Sequence, residues 1–449
     1  MSRSALRVFK TGAVAALAAL AGCGGSSGSS GPTYTIGGTV LGMKSGGSVE
    51  LTLGSESLSI ASNGVFTFST QVANGTNYGV SITSTPTGQS CGVLNGTGQI
   101  SSADVTDVEV YCTDNVSAAT LNGTYEIAAF NVNTDTAQLY TSVPFDGTGT
   151  EGASTVTTNL AGTTFTTSAD AGAAYTVTTA DALPVLAVGG TNNSGGIAAD
   201  GDEFYWVADD VNGGGPPALF LGVSPLQTAS LSSLAGNWIV VGLTQAGTTP
   251  YDSEGSVAIA ADGSFTGSQS TLNISGTAST QAISGAAGSY AVTNNVVSIG
   301  GESGYISANG EFAMLASVTQ QAGGASANYP ALIAAVKQGS GVTLATLSGV
   351  YTIGVMAFAT NATGAGSSLT LEFDGAGNFS GTAAGNDNGT ATSESISGTY
   401  TVTSSGGLTL TDSSGDVYTG GVSADGKIVV AAYLTASAAI PQIFVGFRQ

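Results

Sequence analysis

Leu347-Ser348-Gly349-Val350-Tyr351-Thr352-Ile353 is the stretch against which most of the chain can be read. It stands earlier as Leu234-Ala235-Gly236-Asn237-Trp238-Ile239-Val240, and before that as Leu121-Asn122-Gly123-Thr124-Tyr125-Glu126-Ile127, both steps being 113 residues. Recurrence at a fixed spacing marks a repeated structural unit. Other landmarks keep the same order. Phe145-Asp146-Gly147 answers to Ala261-Asp262-Gly263 and Phe373-Asp374-Gly375, and Tyr175-Thr176-Val177 to Tyr290-Ala291-Val292 and Tyr400-Thr401-Val402. Asp200-Gly201, Asn309-Gly310 and Asp425-Gly426 mark a late turn. Each unit closes on an apolar strand: Leu219-Phe220-Leu221-Gly222, Leu332-Ile333-Ala334-Ala335 and Ile443-Phe444-Val445-Gly446.

Within the third copy, alternation and turn residues predict strands near 350–358, 368–374, 377–384, 393–403, 406–412, 416–423, 427–434 and 441–448. Eight hairpin-linked strands form an antiparallel meander, and closing it into a barrel removes the edges that would otherwise aggregate. The fold class expected is all-β, with three separate eight-stranded barrels over 119–226, 231–338 and 344–449. A six-bladed propeller is the alternative, because G-x-[YW]-x-[IV] recurs within each unit at Tyr125/Tyr175, Trp238/Tyr290 and Tyr351/Tyr400.

Composition narrows the chemistry. The 449 residues include 68 glycines, three cysteines and no histidine, with a formal charge of -22. Without histidine there is no Ser-His-Asp or Cys-His catalysis and no imidazole metal site. So acidic a chain repels phosphate backbones, which argues against nucleic acid as a partner.

The N-terminus reads as a leader. Arg3, Arg7 and Lys10 precede the apolar run from Gly12 to Leu20. That run is too short to span a bilayer of about 30 Å and has the length of a secretory h-region. It ends in Leu20-Ala21-Gly22-Cys23, which resembles the bacterial lipobox. The resemblance implies cleavage of 1–22 between Gly22 and Cys23, acylation of Cys23, and anchoring by acyl chains. Gly24, where an aspartate would resemble an inner-membrane retention signal, implies the bacterial outer membrane. Cleavage would leave Lys44, Lys337, Lys427 and Arg448 against 29 carboxylates, a formal charge of -25. Residues 23–32 form a Gly/Ser tether. Its Gly24-Gly25-Ser26-Ser27-Gly28 spells G-x-S-x-G without strand, helix or histidine to make a nucleophile of it.

Residues 33–113 read as a small β-domain, with alternation in Val49-Leu51-Leu53, Phe66-Phe68 and Tyr78-Val80-Ile82. Asn63-Gly64, between Ile60 and Phe66, predicts a hairpin turn. With Cys23 assigned to lipid, Cys91 and Cys112 remain in a chain exported to an oxidising compartment, and a disulfide between them follows by elimination. The segment resembles the Ig-like or prealbumin-like sandwich modules of bacterial surface proteins, which implies a spacer.

Gly236-Asn237-Trp238 resembles the G-x-W of lipocalin-like barrels, in which the aromatic plugs one end under a basic residue of the last strand. Lys337 and Arg448 stand at comparable places; the first unit has Ser224, and the first and third units carry tyrosine for tryptophan. The unit also resembles the extracellular G-x-Y repeats of bacterial lipoproteins. An eight-stranded barrel is filled by its side chains or holds one small ligand. Gly147-Thr148-Gly149-Thr150-Glu151-Gly152 spells G-x-G-x-x-G, but no helix follows to hold a pyrophosphate, so it reads as a turn. Asp200/Asp202/Glu203 and Asp209/Asp210/Asn212 offer oxygens for Ca²⁺ without EF-hand spacing, and read as solvated hairpin tips. No carboxylate pair recurs in a fixed place across the repeats, which argues against glycoside hydrolysis. The expectation is a non-catalytic, lipid-anchored envelope protein, periplasmic or surface-exposed, without cofactor or metal. Its role would be structural or adhesive, its partners the membrane and envelope or surface ligands. The alternative is a lipocalin-like carrier of a small apolar molecule.

Overall fold

The computed structural model describes residues 31–132, 134–180, 183–189, 193–208, 218–246, 249–273, 278–286, 289–299, 301–318, 329–358, 364–387, 390–433 and 441–449. The leader, Cys23 and the acidic cluster Asp209/Asp210/Asn212 lie outside them. The chain divides into two compact units, one chiefly from Gly12–Asn115, the other from Val116–Thr178 and Pro184–Arg448.

The smaller unit is a β-sandwich. One four-stranded sheet orders Gly64–Thr67, Ile36–Leu41, Val105–Asp114 and Gln89–Leu94; the other orders Glu56–Ile60, Val49–Leu53, Asn77–Ser84 and Thr97–Gln99. Period-two burial along Val49–Leu53 sends Val49, Leu51 and Leu53 into a core with Ile36, Val40 and Val108. Asn63-Gly64 departs from expectation. The strands on either side of it belong to different sheets, so it carries the chain across the sandwich instead of closing a hairpin. The Asn63 amide is spent on Met43, accepting from its N–H at 2.8 Å and donating to its carbonyl at 2.9 Å.

In the larger unit, all eight strands expected for the third copy form, and they close into a barrel. Its first strand, Ser348–Phe358, pairs with its last, Gln442–Arg448, from Tyr351 opposite Arg448 to Ala357 opposite Gln442. The fourth strand, Thr390–Val402, is long enough to serve both neighbours. In the other copies that strand is broken, into Thr164–Asp170 and Tyr175–Ala180, and into Ala278–Gly285 and Tyr290–Thr293. Each of these sheets therefore counts nine strands, curls so that its first and last strands pair, and stays open between the two pieces. In the first copy the break falls at Gly172, whose φ of 75° suits glycine and where a Cβ would collide with the Glu151 carbonyl. These continuous sheets exclude the propeller, which needs four-stranded blades.

The barrels are not separate. Each has its own interior, but a further core is shared among all three copies. Ile428–Tyr433 shows how: Ile428, Val430 and Ala432 enter the shared core, while Val429, Ala431 and Tyr433 enter the third barrel. A strand buried on both faces must be apolar throughout. Phe130 meets Phe358 at 6.0 Å between ring centroids, and Phe312 meets Phe447 at 5.9 Å, each across two copies. Burying one such ring is worth ~1.5–3 kcal/mol. Polar ties follow the same seams. Lys427 pairs with Asp200 at 3.0 Å, Asn309 donates to Glu203 at 3.0 Å, and the Gln442 N–H donates to Asp252 at 3.0 Å.

Candidate functional site

One end of every barrel is shut by the recurrent aromatics. Tyr125 donates to the Gly201 carbonyl at 2.9 Å, and Tyr351 to the Gly426 carbonyl, each joining the opening strand to the late turn. Trp238 instead donates its indole N–H to the Leu234 carbonyl at 2.7 Å. Lys337 lies over the Trp238 ring at 5.6 Å, the arrangement implied by the lipocalin-like resemblance, and donates to the Ser233 carbonyl at 3.1 Å. Arg448 faces Tyr351 in register, and its positive charge acts on the Tyr351 hydroxyl. The second tyrosine of each copy reaches the helical turn before the first strand: Tyr400 lies 3.1 Å from the Leu344 carbonyl and 2.7 Å from that of Leu347. Tyr175 sits likewise, 3.0 Å from the carbonyls of Ala118 and Leu121. These landmarks of the sequence are structural plugs.

The barrels differ in what lies beyond the plug. The third is filled by Val355, Leu369, Phe379, Tyr418 and Phe444, leaving about 10 Å³, room for roughly one water. The first holds a cavity of about 210 Å³ that opens beside the broken fourth strand, at Gly172 and Ala173. Tyr140, Trp206 and Phe220 form its aromatic wall, Trp206 stacking on Phe220 at 4.4 Å, and Glu151 and Asp170 supply its carboxylates. Among the described residues no lysine or arginine lines it.

Strand pairing shows how one repeat becomes hollow and another solid. Gly123, Gly236 and Gly349 face Phe145, Ile259 and Phe373, which face Glu151, Phe265 and Phe379 across the next turn. Two copies thus place phenylalanine where the first places glutamate. The Asp-Gly landmark misassigns this region in the second copy, where it sets Ala261 against Phe145 although Ile259 holds that register. In the first copy the turn is organised by Asp146, which accepts from the Thr148 and Thr150 N–H groups at 2.7 and 2.9 Å. That turn is the G-x-G-x-x-G stretch. It is a turn, as expected, and it delivers Glu151 to the cavity. Elsewhere on the wall, Tyr140 and Trp206 take the places of Leu369 and Ala431, while Phe220 matches Phe444.

Electrostatics sets the cavity apart. Glu151 is 7% exposed; burial first, and then the Asp170 charge, push its carboxyl up to about 7 against a hydrogen bond from the Ala173 backbone. Burial and the same two carboxylates raise Tyr140 to about 12, so its phenol stays neutral at physiological pH. Asp170 accepts from the Gly172 N–H at 3.0 Å, which ties it to the open edge.

Other residues singled out in the sequence lie elsewhere. Cys91 and Cys112 face each other on paired strands of the sandwich and are bonded, S–S 2.00 Å. Asp200 and Glu203 are not hairpin tips free in solvent: Asp200 pairs with Lys427, while Glu203 is 1% exposed and held by Asn309. Among the described residues no group of three or more His, Cys, Asp or Glu is arranged to hold a metal ion. The sequence reading met Glu151 only as part of a turn and Phe220 only as part of a closing strand, and passed over Tyr140, Asp170 and Trp206, because hollowness depends on which side chains are absent from an interior.

Comparison with solved structures gives remote likenesses. One is a single-site mutant of the vaccine antigen transferrin binding protein B from Haemophilus parasuis Hp5, 9% identical, covering 72% of this chain and 74% of that one at a TM-score of 0.23. Another is a protein of unknown function from the DUF3598 family of Nostoc punctiforme PCC 73102, 8% identical, covering 75% of this chain and 100% of that one at 0.14. Likenesses at these scores carry no argument. No protein-family model and no curated protein matches the chain.

Proposed function

We propose that the chain is a non-catalytic binding protein of the bacterial envelope, whose first barrel takes up a small, largely apolar ligand and whose filled third barrel is scaffold. The observation that carries this reading is the cavity of about 210 Å³ in the first barrel, set against about 10 Å³ in the third. Pockets for small molecules are apolar concavities with few polar groups, and three aromatic rings with two carboxylates fit that description. A purely structural repeat protein gains nothing from a hollow core.

The lipobox-like Leu20-Ala21-Gly22-Cys23 supports anchoring at the outer membrane. Acyl chains on Cys23, followed by the Gly/Ser tether, would leave the barrels free to meet a ligand in the periplasm or outside. Among the described residues no helix is long and apolar enough to cross a membrane. Cys23→Ser should move the protein from the membrane fraction to the soluble one; retention in the membrane would remove the anchor from this account.

The binding reading is tested by native mass spectrometry of gently purified protein beside its Glu151→Phe variant, which copies the other two barrels. A co-purified small molecule present in the native protein and absent from the variant is expected. Equal ligand content in both would place any binding outside this cavity.

A further inference from the structure

We propose that the first-barrel cavity is selective for an organic cation, a positively charged amine or quaternary ammonium carried on an apolar body. This rests on the binding reading above and names the chemistry of its ligand. Three independent features converge on it. First, the interior replaces a phenylalanine of the sister barrels with Glu151 at the same register, so a carboxylate stands where the fold otherwise supplies hydrocarbon. A carboxyl buried to 7% exposure is costly in its charged form unless a countercharge arrives. Second, Asp170 shares the cavity, and among the described residues no lysine or arginine lines it to neutralise either group. Third, the same lining carries aromatic rings, and Tyr140 and Phe220 are only partly buried, so ring surface remains for a ligand. Ring faces attract cations, most strongly where water is excluded. Carboxylates and aromatic rings lining one cavity make a site that a neutral ligand leaves half used and an anion meets with repulsion.

The groups facing Glu151 fix the sign of the pH dependence. They are Asp170, whose charge opposes ionisation of Glu151, and Tyr140, which stays neutral. A bound cation stabilises the ionised carboxylate, so affinity should fall as pH drops below about 7.

Calorimetric titration of the full chain lacking only its leader and lipid (Cys23→Ser), with benzyltrimethylammonium and with its neutral carbon isostere neopentylbenzene, tests this. The permanent charge of the first probe leaves the pH response to the protein. The cation should bind at least tenfold more tightly at pH 8, and weaken several-fold at pH 5.5 while the isostere does not change. Glu151→Gln and Asp170→Asn should each erode the cation's advantage and spare the isostere. Equal affinities for the two probes, or tighter binding of the isostere, would overturn the cation assignment and leave the hollow-barrel reading standing. Binding of neither would overturn both.

Discussion

Glu151 and its counterparts Phe265 and Phe379 show how much one side chain can change in a repeated fold. Each stands opposite the same register position of the preceding strand, Glu151 on an isolated bridge and the two phenylalanines within continuous strands. Glu151→Phe should therefore abolish ligand uptake by the first barrel without lowering its stability, since it removes a poorly solvated carboxyl and adds buried hydrocarbon; urea unfolding and ligand titration check the two halves. A drop in stability would mean that the sister barrels are a poor guide to the first. Tyr400 is a contrasting case, where the recurrent residue is structural. Tyr400→Phe leaves the Leu344 and Leu347 carbonyls without its hydroxyl and should cost about 1–3 kcal/mol in a denaturant titration. The glycines and aromatics of the repeat were legible in the sequence because each keeps its place in the pairing, although Trp238 bonds Leu234 where Tyr125 and Tyr351 reach the late turn. Glu151 was not, because the Asp-Gly landmark slips by two positions between copies and hides which residue it replaces.

At the level of elements, the fourth strand of each barrel governs access. Where it runs unbroken as Thr390–Val402 the barrel closes; where it breaks around Gly172 the sheet stays open and the cavity has a mouth. The meander itself was readable from turn residues and alternation, all eight strands of the third copy falling where they were expected. The break was not, since a short gap between two strands reads as an ordinary turn. Asn63-Gly64 erred the other way: a sequence typical of a hairpin serves a crossover, because Met43, distant along the chain, satisfies the Asn63 amide. In the sandwich, the Cys91–Cys112 bond joins two paired strands. Replacing both cysteines with alanine should lower stability by about 3 kcal/mol, the value for a loop of about 20 residues, and equilibrium unfolding of the double variant will show whether it does.

Across the whole larger unit, three barrels are bound by a common apolar core and by carboxylates buried at their seams. Runs such as Ile428–Tyr433 announced strands buried on both faces, but not that the second face would meet a sister repeat. Phe447, which contacts Phe312 and Tyr205 of the other copies, should cost about 3–5 kcal/mol when replaced by alanine. Burial raises Glu126 to about 7 and Glu203 to about 8, so the folded state holds these protons more tightly than the unfolded chain. Their contribution is complete below the ordinary glutamate pKa and is lost as pH rises through 7 and 8. Denaturant titrations from about pH 5 to about pH 8.5 should show stability falling by several kcal/mol, less steeply in Glu203→Gln. Constant or rising stability over that window would contradict the assignment. The central claim is that the first repeat, unlike the third, has been hollowed into a binding site. A crystal structure of the soluble chain soaked with benzyltrimethylammonium tests it most directly. The account predicts ligand density among Tyr140, Trp206, Phe220, Glu151 and Asp170, with the third barrel empty of ligand. A first barrel filled by its own side chains, with no ligand inside, would contradict it.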